Sequence, residues 1–143
     1  MAKVEIQLPE EFLTRLSQLG QHSDEISERV LEAGGEVLLA QVKSNLAGVV
    51  GRDTKYPSES TGELVGSLGL SPAKLGRDGN HNIKVGFAEP RSDGKSNAAI
   101  ANIIEHGKHG QPAKPFLKSA KAACKTECIE TMKRTFEQEV SKL

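Results

Sequence analysis

The side chains with metal-binding or nucleophilic chemistry at close spacing are His106, His109, Cys124 and Cys128. His106-x-x-His109 and Cys124-x-x-x-Cys128 supply four ligands of kinds that zinc accepts. Structural zinc sites favour tighter cysteine knuckles, however, and both cysteines fall on an apolar helical stripe that belongs in a core. His109 falls in a polar loop. Cys128 with His106 and Glu105 has the composition of a nucleophile, a base and an orienting acid, but no spacing fixes the three together. Cysteine on an apolar helix face is far more often plain core. A Gly-x-x-x-x-Gly-Lys-Ser/Thr loop, a Gly-x-Ser-x-Gly elbow and a His-Glu-x-x-His pair are all missing. Cysteines at i,i+4 on a helix are also poorly placed for a disulfide, so reduced thiols are expected. The expectation is a chain without metal, cofactor or catalysis.

The remaining row with chemical meaning is Lys114, Lys118, Lys121 and Lys125, one helical turn apart on one face. A solubilising face is the plainer reading. The sharper one is contact with an acidic partner surface, or with DNA passing a channel. Positive and negative side chains balance at 19 each, which argues against a protein whose main work is coating nucleic acid. No aromatic residues interleave with the lysines to stack on bases. A small nucleic-acid-associated protein using this row is the alternative function.

The elements that must position these groups follow from periodicity. Residues 3–8 alternate Val4, Ile6 and Leu8 against polar neighbours, as a strand with one buried face does. Pro9-Glu10-Glu11 starts a helix, with acids near the positive end of its dipole, and this helix stops near Gly20. A second helix runs from Ser23 or Asp24 to near Asn45, with a broad stripe through Ile26, Val30, Ala33 and Val37 and with Leu31, Leu38, Val42 and Leu46 alongside. Gly34-Gly35 inside it costs about 1 kcal/mol per glycine against alanine, which points to close packing on a neighbouring element in preference to the alternative, a hinge.

Residues 48–60 read as a loop, and Ser60-Thr61-Gly62-Glu63 has capping-box spacing for a brief helix over 63–67. Residues 68–75 and 82–88 read as strands of an antiparallel hairpin turning at Asp78-Gly79-Asn80, with Pro72 at an edge or bulge. Ile83, Val85 and Phe87 share a face of the second strand. A polar loop over 89–97 leads to a short apolar helix over 98–105.

Glu105-His106-Gly107 ends that helix, and Pro112 and Pro115 stiffen the approach to a last helix beginning Phe116-Leu117. The run Pro112-Ala113-Lys114-Pro115-Phe116-Leu117-Lys118 resembles the Pro-Ala-basic-Pro-Phe-Leu-basic elbow of phage tail-completion and head–tail joining (neck) proteins of long-tailed phages. In that family a Glu-aromatic-Gly loop precedes the elbow, and here His106 takes the aromatic position. Thr61-Gly62-Glu63-Leu64 with Ser67 is similar to the family's Thr-Gly-x-Leu…Ser element, and Val85-Gly86 to its Val-Gly strand.

The resemblance implies a structural protein of a phage or prophage that completes the tail or neck and allows head–tail joining. It further implies a homo-oligomeric ring, a hexamer by tail symmetry. The partners implied are head-connector and tail-tube proteins, with DNA in the channel and no small-molecule substrate. Thr61, Gly62, Leu64, Glu105, Gly107, Pro112, Lys114, Pro115, Phe116, Leu117 and Lys118 are then the family motif and subunit or partner contacts. Glu105 is expected to bond backbone N–H groups of the loop that follows it.

The last helix, from Pro115 to near Val140, carries two apolar faces. Phe116, Leu117, Ala120, Cys124 and Cys128 cluster on one side; Ile129, Met132, Phe136, Val140 and Leu143 cluster on a side turned by roughly 130°. One straight helix cannot bury both against one surface. Either it bends, or the second half packs on a neighbouring subunit through Met132, Phe136 and Val140. At 143 residues one α+β domain is expected: a small antiparallel sheet with two long helices packed on one face. No apolar stretch approaches the roughly 18 residues of a membrane span and no basic-then-apolar leader opens the chain. The expected setting is the host cytoplasm during assembly, then the virion.

Overall fold

The computed structural model describes residues 3–49, 63–75, 80–88, 96–107, 110 and 112–143. Thr61 and Gly62, the expected capping residue Ser60, most of the loop expected over 48–60, Asp78 and Gly79 of the expected hairpin turn, and His109 lie outside them. The chain folds as β1 (Val4–Gln7), α1 (Glu10–Ser17), a 3-10 turn, then α2 (Ser23–Val49). There follow α3 (Glu63–Gly66), β2 (Leu68–Leu70), β3 (Lys74–Leu75), β4 (His81–Phe87), α4 (Asn97–His106), α5 (Phe116–Ala123) and α6 (Lys125–Ser141). This is the expected α+β arrangement, a small antiparallel sheet backed by helices.

β4 is the centre of the sheet. β1 pairs with one edge in the register Val4↔Val85, and β2 and β3 share the other, at Leu68↔Phe87 and Lys74↔Asn82. Residues 68–75 do not form one continuous strand. Pro72 has no N–H to give the ladder, and the strand splits around it. Ser71 bridges the gap: its N–H donates to the Lys84 carbonyl at 2.8 Å, and its Oγ accepts the Lys84 N–H at 3.0 Å.

The sheet face carrying Ile83 and Val85 lies on α2, whose Val30, Leu31, Leu38, Val42 and Leu46 are fully enclosed. The paired glycines set the spacing of both layers. A Cβ on Gly34 would stand 2.8 Å from Met132 Cγ and 3.2 Å from Ile6 Cδ1. One on Gly35 would stand 2.8 Å from Leu70 Cδ1 and 3.3 Å from Ile83 Cγ2. α6 and the sheet therefore press onto α2 where it has no side chains. The packing gained offsets the propensity lost at each glycine.

The last helix breaks at Cys124, whose backbone (φ −102°, ψ 9°) leaves the helical range between α5 and α6. The break turns the second apolar face inward, and both halves pack on α2. This corrects the expected oligomer face. Met132 and Phe136 are 2% and 1% exposed within the chain itself, and Val140 is half-buried. Phe136 stacks on Phe12 at 5.1 Å with the Arg15 guanidinium 4.6 Å above its ring. Arg15 also pairs with Glu137, Arg29 with Glu139 at 2.7 Å, and Lys133 with Glu11 at 3.5 Å, so α6 is fastened to α1 and α2 along its length.

Candidate functional site

The elbow between α4 and α5 is built from short-range caps and one long-range clasp. Ser96 caps α4, its hydroxyl accepting the Ala99 N–H at 3.1 Å. Asn97, 2% exposed, donates its amide to the Ala88 carbonyl at 2.7 Å and ties the helix start to the end of β4. Gly107 ends α4 at φ 79°, an angle that side chains disfavour, while its N–H donates to the Ile103 carbonyl at 2.7 Å. The chain then doubles back, and the Lys114 N–H donates to the Ile104 carbonyl at 2.8 Å.

α5 has Pro115 at its N-cap position, and proline offers no capping side chain. The missing acceptor comes from another helix. Glu105, 8% exposed, accepts the Leu117 N–H through Oε1 at 2.8 Å and the Lys118 N–H through Oε2 at 3.2 Å. A buried carboxylate is thereby satisfied by two backbone donors at the positive end of a helix. The donors belong to the helix itself, not to the intervening loop as the sequence suggests.

Phe116 locks the corner from inside. It is 2% exposed, and its ring meets Phe87 of β4 edge-on at 6.3 Å. Its carbonyl accepts the Asn45 side-chain amide at 3.3 Å, and Asn45 in turn accepts from Gln41 at 2.9 Å. The elbow is thus anchored to α4, to β4 and to α2.

Of the motif residues, Leu64, Glu105, Phe116 and Leu117 are buried, Gly107 and Lys114 are half-buried, and Pro112, Pro115 and Lys118 are exposed. Leu64 is part of the core beneath α3 and does not join the elbow's hydrogen bonds. Asn97 and Asn45 were missed by sequence reasoning. The signal for Asn97 was its position just after a capping serine at the start of an apolar run; Asn45 gives no comparable signal.

Lys118, Lys121 and Lys125 line one groove, of about 610 Å³, between β1 and the α5–α6 pair. Its walls also carry Glu5, Ile6, Ala122 and Ile129. Cys124 and Cys128 lie at its floor, 3% and 4% exposed, with their sulfurs 3.5 Å apart. Burial, followed by the neighbouring Cys124, pushes the Cys128 thiol up to about 12. Such a thiol is a poor nucleophile at neutral pH. His106 is exposed at the end of α4, and among the described residues no group of three or more His, Cys, Asp or Glu is placed to hold a metal ion. Among them too, no helix is long and apolar enough to cross a membrane.

What this arrangement does chemically is hold: a clasped corner, a kinked helix fastened along its length, and a basic groove beside a sheet edge. Comparisons with curated proteins and with solved structures find no match. A comparison with protein families matches residues 10–107, from the start of α1 to the glycine that ends α4, to the family described as bacteriophage HK97-gp10, putative tail-component. On that match, which spans more than half of the chain, the protein belongs to the HK97-gp10-like family and is a phage tail component.

Proposed function

We propose that this phage tail component completes the tail or neck and makes head–tail joining possible, acting as a homo-oligomeric ring, a hexamer in register with tail symmetry. The observation that carries the reading is the family match over α1 to α4. The clasped elbow supports it, because a part that links two assemblies must keep its shape under load. Glu105, Phe116 and Asn45 tie the start of α5 to three separate elements. Head-connector and tail-tube proteins are the partners in this reading, and the site of action is the virion. The reading needs no cofactor and no turnover.

Electron microscopy of particles from the parent phage or prophage lacking this gene tests the proposal. DNA-filled heads accumulating beside unattached tails are the expected result. Normal, infectious virions overturn it.

A further inference from the structure

α6 separates two clefts of opposite charge. On one flank lies the basic groove against β1, with Lys118, Lys121 and Lys125. On the other lies a cleft against α2 lined by Glu36, Val37, Ala40, Gln41 and Glu127. Glu127 is two residues from Lys125, about 200° around the helix, so one helix carries both signs on different sides. Glu28 and Glu32 extend the acidic side along α2 at i,i+4 spacing from Glu36, and all three are exposed.

Among the described residues, none of Lys118, Lys121, Lys125, Glu28, Glu32, Glu36 and Glu127 forms an ion pair. By contrast, Arg15, Arg29 and Lys133 are all paired. Like charges one turn apart repel, at a few tenths of a kcal/mol per pair on an isolated helix. A chain with 19 charges of each sign has the means to interleave them. Here they are segregated into two rows of opposite sign, the exceptions among the described residues being Glu5 on the groove wall and Arg29, whose charge reaches Glu32.

We propose that these two surfaces are the two halves of one contact between copies of this chain. The acidic side of α2 and α6 in one copy sits along the lysine groove of the next. Because the two patches differ, the contact is heterologous, and a heterologous contact that closes makes a ring. The groove also offers apolar surface, with Ile129 half-buried and Ala122 exposed between the lysines, so the contact has an uncharged floor beneath its charged rim. The inference names the interface of the ring in Proposed function and rests on that reading.

The test is a charge-reversal mixture read by analytical ultracentrifugation. One variant carries Lys121→Glu and Lys125→Glu, the other Glu32→Lys and Glu36→Lys; all four side chains are exposed, and circular dichroism confirms that each variant folds. The wild type is expected to associate at ~0.15 M salt and to weaken toward monomer at ~1 M, as screening shortens the reach of the charges. Each variant alone should lose on the order of tenfold or more in association. Mixing the two should restore assembly, since alternating copies present opposite signs at every contact and an even-numbered ring closes.

Variants that assemble alone like the wild type overturn the interface and leave the ring reading standing. A mixture that stays apart overturns it as well. A wild type that is monomeric at every salt concentration removes the ring reading and this inference with it. Duplex DNA binding that Lys121→Glu and Lys125→Glu abolish, with assembly unchanged, assigns the lysines to nucleic acid instead.

Discussion

Glu105 of α4 caps a helix that starts eleven residues later, its Oε1 accepting the backbone N–H of Leu117 at 2.8 Å. Replacement by alanine leaves two helix-terminal donors without their acceptor. We expect Glu105→Ala to lower unfolding stability by about 2 kcal/mol, and Glu105→Gln by roughly half as much. Urea unfolding followed by circular dichroism measures both. Equal loss in the two variants would show that the carboxylate's charge, not its acceptor geometry, matters.

The glycine pair gives a test of packing. A methyl on Gly34 meets the unbranched Met132 side chain first and Ile6 of β1 at 3.2 Å, whereas one on Gly35 meets Leu70 and Ile83, both on the sheet. Gly35→Ala is therefore expected to destabilise by about 1–3 kcal/mol despite its gain in helix propensity. Gly34→Ala should be milder, and its cost should shrink further in a Met132→Ala background. A double-mutant cycle returning no coupling between positions 34 and 132 would contradict the close approach of α6 to α2.

Phe136 separates a core role from a contact role. It is enclosed by its own chain, stacked on Phe12 and covered by Arg15. Phe136→Ala should cost about 3–5 kcal/mol, and Phe136→Asp should abolish the native fold. Thermal melts decide it. A Phe136→Asp protein that melts like the wild type but no longer assembles would return this face to the interface between copies.

The thiols give a pH-dependent readout. Cys128, raised to about 12 by burial, favours the protonated form in the folded state. A raised acid contributes stability that is fully present below its unfolded value and is lost as pH rises through its folded value. Alkaline destabilisation should therefore set in above the ordinary thiol range and grow toward pH 12, and Cys128→Ser should flatten that limb of the stability curve. At pH 8, iodoacetamide should label Cys128 in denaturant and spare it in the folded chain. Rapid labelling of the native protein would show that the thiol is accessible and ionised.

Much of this architecture was legible from local rules. The alternation over 3–8, the acids after Pro9, the stripe from Ile26 to Leu46 and the strand of Ile83, Val85 and Phe87 each report the period of a single element. Pro72 marked an interruption because a missing N–H acts wherever the residue sits. Gly34-Gly35 announced a close approach without naming what approaches, since Met132 and Leu70 are distant in sequence. The capping carboxylate Glu105 stands out by its place in the motif, but its donors are decided by the fold, which brings the Leu117 and Lys118 N–H groups to it in place of those of the loop.

The two apolar faces of the last helix were readable as a contradiction, and their resolution was not. Whether a helix bends or keeps one face for a partner depends on which surfaces are within reach. That is set by the placement of α1 and α2, not by the composition of the helix. Folding brings Phe12, Arg15 and Arg29 to the second half of the helix, and with them in place a break at Cys124 buries both faces at home. The pattern of side chains specifies what must be covered; the three-dimensional arrangement specifies by what, because burial is a relation between segments that the chain order does not place side by side.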